Sequence, residues 1–211
     1  MKLLRQRFVL DTSAFLSNDV RRGNESVIDA ANRLLDLISK ARLKLNISCY
    51  MPPSIVRELS RSLHAKSCPE EIFTKIDTWI VKKNPSRHEV AIPSDMLYSF
   101  ISDLRGRIDK GLRVAEKAVH KAEKADQKKG ENFRSELDNV ISELRSKYRI
   151  ALRQGILDSK EDLDMLILAK ELQAGVVTAD EGIMRWAEEF GLRYVEAKAF
   201  PSLIEEYLKT K

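Results

Sequence analysis

Two cysteines, three histidines and the lack of any extended apolar run set the first limits on this chain. Cys49 and Cys68 are too few for a disulfide scaffold, and a reducing compartment is the default for such a sequence. The N-terminus, MKLLRQRFVL, is basic and apolar, but its apolar run stops at Asp11. That is too short for the core of a signal peptide, and no stretch approaches the ~20 residues that span a bilayer. The expectation is a soluble, cytoplasmic protein. His64 and Cys68, four positions apart, could supply half a zinc site, but no second ligand pair accompanies them. His88 and His120 have no partners visible in the sequence. Aromatics are scarce, at 7%. Trp79 and Trp186 fall within amphipathic helices, where a core position is expected rather than a base-stacking platform.

What the chain has instead is charge. Asp, Glu, Lys and Arg make up 33% of its 211 residues, with a net charge of +5. This length suffices for one α/β domain with an added lobe. Buried strands are expected at Arg7–Leu10, Leu45–Met51, Gly175–Thr178 and Arg193–Ala197, with a short one at Val90–Ile92 before Pro93. Helices are expected over Ser26–Arg42, Ser54–Leu63, Glu70–Val81, Leu163–Leu172, Glu181–Phe190 and Ser202–Lys209. Strands alternating with helices imply an α/β fold with a parallel sheet covered on both faces.

The region 94–153 follows a different rule. Leu97, Ile101, Leu104, Ile108, Leu112, Ala115, Val119 and Ala122 recur at steps of three and four. Gly130 interrupts the run, which resumes at Phe133, Leu137, Val140, Leu144, Tyr148 and Ala151. Two long helices in an antiparallel hairpin, with a coiled-coil-like seam, satisfy this pattern. Such a hairpin must project as an insertion, dividing the chain into a sheet-based body, 1–93 with 154–211, and an arm, 94–153. Of 37 basic and 32 acidic residues, 13 and 8 lie between Arg105 and Arg149, leaving 24 of each elsewhere. The whole basic surplus therefore equals the excess between Arg105 and Arg149, within the arm. A solvated helical face explains charge on an arbitrary helix. Segregation from a neutral body favours contact with phosphates. Arg105, Arg107, Arg113, Lys121, Lys128 and Lys129 are the candidate contacts to a nucleic acid.

The chemistry rests on acids at strand ends. In FVLDTS, Asp11 terminates an apolar strand, and a carboxylate there must be hydrogen-bonded, paired or metal-bound. In GVVTAD, Asp180 ends a second strand. Upstream, in LDSKEDLDMLILAKEL, Asp158 and Asp162 stand four apart. If Ser159 caps the helix, Asp162 sits in its first turn and Asp158 just before it. Each acid has a purely structural role available. Asp162 could complete a cap with Ser159, Asp180 could favour a helix dipole, Asp11 could cap a turn through Thr12 or Ser13, and Thr178-x-x-Glu181 spells a capping box. Together they would place four mutually repelling acids at one sheet edge. A divalent cation relieves that repulsion, and an all-oxygen set suits Mg²⁺ or Mn²⁺. Such a centre is suited to hydrolysis of a phosphodiester.

FVLDTS, the acid Asp162, and VVTAD ending at Asp180 resemble the PIN-domain nucleases. Glu58, in PPSIVREL, resembles the acid that many PIN domains place on the helix after the second strand. Over nearly the whole chain, the PIN core, the long inserted hairpin and LDSKEDLDMLILAKEL…VVTADEGIMRWAEEFG resemble the homologues of Aquifex RNase P. These are minimal protein-only ribonuclease P enzymes, once labelled RNA ligase partner proteins. The resemblance implies removal of the 5′ leader from precursor tRNA with Mg²⁺ or Mn²⁺, leaving a 5′ phosphate. It places the catalytic and metal-binding acids at Asp11, Asp158, Asp162 and Asp180, with Asp164 and Glu58 as further candidates. It also implies homo-oligomers, rings or screws, assembled through the hairpin, which helps to measure the tRNA elbow. The alternatives are a toxin-type PIN endoribonuclease, usually shorter and without the hairpin, and a non-catalytic RNA-binding partner of an RNA ligase or repair complex.

Overall fold

The computed structural model describes residues 6–126, 133–153 and 159–210. The chain divides into two units, Met1–Ile92 with Leu157–Lys211, and Pro93–Ile156.

The first unit is built on strands β1 (Arg7–Leu10), β2 (Ser48–Met51), β3 (Ile80–Lys82), β4 (Gly175–Thr178) and β5 (Tyr194–Glu196). They form one all-parallel sheet in the order β3-β2-β1-β4-β5. The chain runs outward from β1 on one side, then returns to start again at β4. The switch point lies between β1 and β4, where parallel α/β sheets hold ligands at their carboxyl ends. In register, Leu10 stands beside Val177, so the residues after both strands emerge together.

Alternation along the strands explains the two covered faces. Phe8, Leu10, Cys49, Met51 and Val177 join one apolar cluster. It includes Leu34, Leu35 and Ile38 of α2 (Val27–Leu45), Ile55 and Leu59 of α3 (Pro53–His64), Ile72 and Ile76 of α4 (Glu70–Trp79), and Phe200 and Ile204 of α9 (Phe200–Lys209). Val9 and Val176, pointing the other way, are also fully buried. On that side α7 (Lys160–Leu172) packs on β1 and β4, with α8 (Glu181–Glu189) beside it. Trp186 is buried, and Trp79 packs against the main cluster, so both tryptophans take core positions. His64 stacks on Phe73 with ring centroids 4.1 Å apart, and burial pushes the Cys49 thiol up to about 12. Neither cysteine forms a disulfide. Among the described residues, no helix is long and apolar enough to cross a membrane.

One strand differs from expectation. Val90–Ile92 has no regular structure and lies at the surface. The third strand is instead Ile80–Lys82, directly after α4, with Ile80 opposite Cys49. The helical pattern read through to Val81 hid it, because β-branched Ile80 and Val81 fit the helix period while favouring the extended backbone of an edge strand.

A short helix α1 (Ser13–Leu16) follows β1, and the loop after it is pinned to α2. Arg33 donates to both oxygens of Glu25, each at 2.9 Å, and to the carbonyl of Val20. This pairing holds the Glu25 carboxyl down at about 2. A depressed carboxylate stabilises above its ordinary range, and the benefit disappears as pH falls towards 2. Glu25→Gln is therefore expected to cost about 1–2 kcal/mol at pH 7. Urea unfolding of both proteins should show that difference shrinking between pH 4.5 and pH 2.

The second unit is a helical hairpin of α5 (Ser94–Asp126) and α6 (Phe133–Arg153). Gly111 lets the two helices close. A Cβ there would lie 2.9 Å from the ring of Tyr148. Farther along, Val114 and Ala118 face Val140 and Leu144. Lys121 and Lys147 both bond to Glu143 and hold its carboxyl at about 2. On α6 the seam follows the stripe read from the sequence, with Val140, Leu144 and Tyr148 facing α5, but on α5 it does not. Leu97, Ile101, Leu104, Ile108, Leu112 and Val119 are 46–66% exposed. The small residues Gly111 and Ala118 meet the partner helix, because close approach of backbones favours them over leucine.

Candidate active site

Asp11 leaves β1 with its N–H bonded to the carbonyl of Val177 at 2.9 Å. Asp11 is 7% exposed, and donors reach both its carboxylate oxygens. Thr12 N–H donates to Oδ1 at 2.7 Å, while the hydroxyls of Ser13 and Thr178 donate to Oδ2 at 2.6 and 2.9 Å. Ser13 Oγ in turn accepts from Ala179 N–H at 2.8 Å, and Thr178 Oγ1 from Asp180 N–H at 3.0 Å. The two strand ends are thus sewn together by hydroxyls, each both donor and acceptor. This network explains why FVLDTS and VVTAD carry hydroxyl residues beside their acids. The Thr12 hydroxyl adds a long contact to Oδ1 at 3.4 Å, so each carboxylate oxygen meets two donors.

Asp180 is the N-cap of α8. Its Oδ1 accepts from Gly182 and Ile183 N–H at 2.7 and 3.1 Å. The capping box expected from Thr178 and Glu181 does not form, since the Thr178 hydroxyl is committed to Asp11 and the cap moves to Asp180. Ser159 caps α7 by accepting from Asp162 N–H at 3.0 Å. Asp162 accordingly sits in the first turn of that helix. Asp158 lies outside the described residues.

Asp11, Asp162, Asp180 and Glu58 line one cleft of about 480 Å³, with Thr12, Ser13 and Ser159 between them. Three acids expected from strand ends and a helix start therefore share a cleft, and Glu58 joins them from α3. Partial burial, and then the charges of Asp11 and Glu161, push the Glu58 carboxyl above its usual value. Arg61 and a hydrogen bond from Thr12 oppose this. Asp164 differs from expectation. It is not among the residues that line the cleft, and both its oxygens accept from Arg87. That pairing, rather than a metal, accounts for its burial. The signal for it was available: a helix residue two positions after Asp162 points about 200° away from it.

Among the described residues, no three His, Cys, Asp or Glu side chains are arranged to hold a metal ion. The donor set still suits a hard cation. It is all oxygen, and the carboxylates of Asp11, Asp162, Asp180 and Glu58 line one cleft.

On the hairpin, Arg105 and Arg113 are exposed and Arg107 is half-buried. Lys121 cross-links the two helices through Glu143 at 2.6 Å, so its charge is spent within the hairpin. Lys128 and Lys129 lie outside the described residues.

Comparison with known proteins supplies the family. The model of the PINc domain ribonuclease family matches residues 7–209. A protein named RNA-free ribonuclease P from Haloarcula marismortui is 55% identical, covering 97% of this chain and 92% of its own. Proteins of the same name from Archaeoglobus fulgidus and Methanothermobacter thermautotrophicus are 49% and 48% identical. Each covers 98% of this chain, matching 93% and 98% of its own length. Similarity of this extent, spanning sheet, cleft and inserted hairpin alike, places the chain among the PINc domain ribonucleases, in the RNA-free ribonuclease P family.

Proposed function

We propose that this chain is a metal-dependent endoribonuclease that removes the 5′ leader from precursor tRNA without an RNA subunit. The observation that carries the reading is the convergence of Asp11, Asp162 and Asp180 on one cleft, in a chain similar end to end to proteins named for this activity. Asp11, Asp158, Asp162 and Asp180 would hold Mg²⁺ or Mn²⁺, with Glu58 at the margin. When bound, the cation would lower the pKa of a water nucleophile and screen the scissile phosphate. The protein's own part is orientation. Ser13 and Thr178 fix the Asp11 carboxylate, and the Ser159 cap fixes the first turn that carries Asp162. The basic hairpin would meet phosphates of the tRNA, with Arg105, Arg107 and Arg113 as contacts. Its exposed apolar stripe would join copies of the chain into a homo-oligomer, and the expected setting is the cytoplasm.

The test is to incubate purified protein with a 5′-extended tRNA and Mg²⁺ and map the cut. A single cut at the mature 5′ end, leaving a 5′ phosphate and abolished by a chelator, is expected. Cuts within mature tRNA or mRNA would point to a toxin-type enzyme. RNA binding with no cut would point to a non-catalytic partner of an RNA repair complex.

A further inference from the structure

Asp164 is one of few polar residues buried in the first unit, with Asp11, Ser48 and Thr178. A buried carboxylate demands a partner, and Arg87 supplies a parallel fork. Its Nε donates to Oδ1 at 2.8 Å and its Nη2 to Oδ2 at 2.5 Å. The two sides are unequally placed: the Asp164 side chain is 12% exposed and that of Arg87 62%. Two turns farther along α7, Glu171 accepts from Ser86 N–H at 2.9 Å and pairs with Lys83 at 3.0 Å. The segment 83–87, which continues from β3, is thus strapped lengthwise along one face of α7. Asp162 lies on the other side of the same helix, facing the cleft.

Elsewhere α7 is held mainly by apolar contacts, and its other polar ties lie at the far end, where Lys170 donates to the Phe190 carbonyl at 2.7 Å and Arg7 to the Leu172 carbonyl at 3.0 Å. Met165, Leu166, Leu168 and Ala169 are fully buried. Such contacts set how deep the helix sits. They resist small rotations weakly, because dispersion and burial are non-directional. The Arg87 fork is directional, and it acts in the first turn and a half, where the cleft acid is carried. The strap also has a place in the chain. Segment 83–92 leads into the inserted hairpin, and α7 follows it, so the fork ties together the two chain segments flanking the insertion.

We propose that Arg87 is a positioning residue for Asp162, acting through Asp164 to fix the rotation of the start of α7. This rests on the nuclease reading above. Without the fork, Asp164 is a buried charge without its partner, and the helix start must shift or open to hydrate it. A displacement of about 1 Å at a catalytic group can cost on the order of 10²-fold in rate.

The experiment compares wild type, Arg87→Ala, Arg87→Lys, Asp164→Asn and the doubly substituted Arg87→Ala/Asp164→Asn. Arg87→Ala is expected to slow single-turnover cleavage of a 5′-extended tRNA about 10–100-fold, with the Kd for that RNA in chelator within threefold of wild type. Amide hydrogen exchange of a peptide covering 159–164 should rise at least tenfold, while peptides of β1 and α2 stay protected. Arg87→Lys should recover part of the rate, and the double substitution should be no worse than Arg87→Ala. Wild-type cleavage by Arg87→Ala would overturn the proposal. So would a rate loss matched by lost RNA affinity, which would make Arg87 a phosphate contact, or exchange rising throughout the chain. If wild type itself leaves precursor tRNA uncut, the nuclease reading fails, and the exchange measurement still decides whether Arg87 orders the start of α7.

Discussion

Asp162→Asn should lower cleavage of a 5′-extended tRNA on the order of 10³-fold, the upper range for loss of one preorganised electrostatic contact, and leave the fold intact. The substitution keeps the side chain's size and removes its charge. Ser159 caps the helix through the backbone N–H of Asp162, a contact that the substitution leaves in place. Removing an acid from a first turn costs about 0.3–1 kcal/mol. Asp11→Asn is a less clean probe. Its Oδ2 accepts from two hydroxyls, and an amide NH₂ at that position would oblige Ser13 and Thr178 to reorient, with a cost of about 1–3 kcal/mol. Rates for Asp162→Asn should be measured by single turnover beside a thermal melt. An unchanged melt with a lost rate is the expected pair. Full activity would remove Asp162 from the chemistry.

Much of the site was legible because acids at the ends of apolar strands violate the simplest rule of burial. Asp11 and Asp180 announce themselves as carboxylates where the pattern calls for a turn, and the parallel topology brings both to the switch point. Asp162 follows from the Ser159 cap. The hydroxyl network could be guessed only as local turn chemistry. That Ser13 bridges Asp11 and Ala179, two segments far apart in sequence, depends on the β1–β4 register. Arg87 was out of reach for the same reason, since nothing near SRHEV marks it as the partner of an acid on α7. The misplaced third strand and the seam misread on α5 share another cause. Periodicity finds apolar residues but not what they face. Ile80 and Val81 continue a helical pattern into an edge strand. On α5 the strongest apolar period marks the face left open, while glycine and alanine, weak in any hydrophobic pattern, mark the face that packs.

That open face makes the second large prediction. Leu104→Glu combined with Ile108→Glu is expected to convert an assembly into single chains of 24.2 kDa, and to reduce cleavage of precursor tRNA at least tenfold. Neither residue belongs to the seam, where Gly111 meets Tyr148 and Ala118 faces Val140, so the hairpin should keep its helicity by circular dichroism. Leu97, Ile101, Leu104, Ile108 and Leu112 form a contiguous exposed stripe, a kind of surface that marks interaction sites in soluble proteins. Burying one Leu or Ile side chain is worth about 1.5–3 kcal/mol. Two glutamates in their place forfeit that burial and set like charges against each other across a symmetric contact, which should weaken association by several powers of ten. Sedimentation of both proteins over a range of concentrations measures the effect. An RNA-binding role for the same stripe gives a different result: affinity for precursor tRNA would fall while the sedimenting mass stayed constant. Self-assembly through α5 requires the mass to fall first, with cleavage following it.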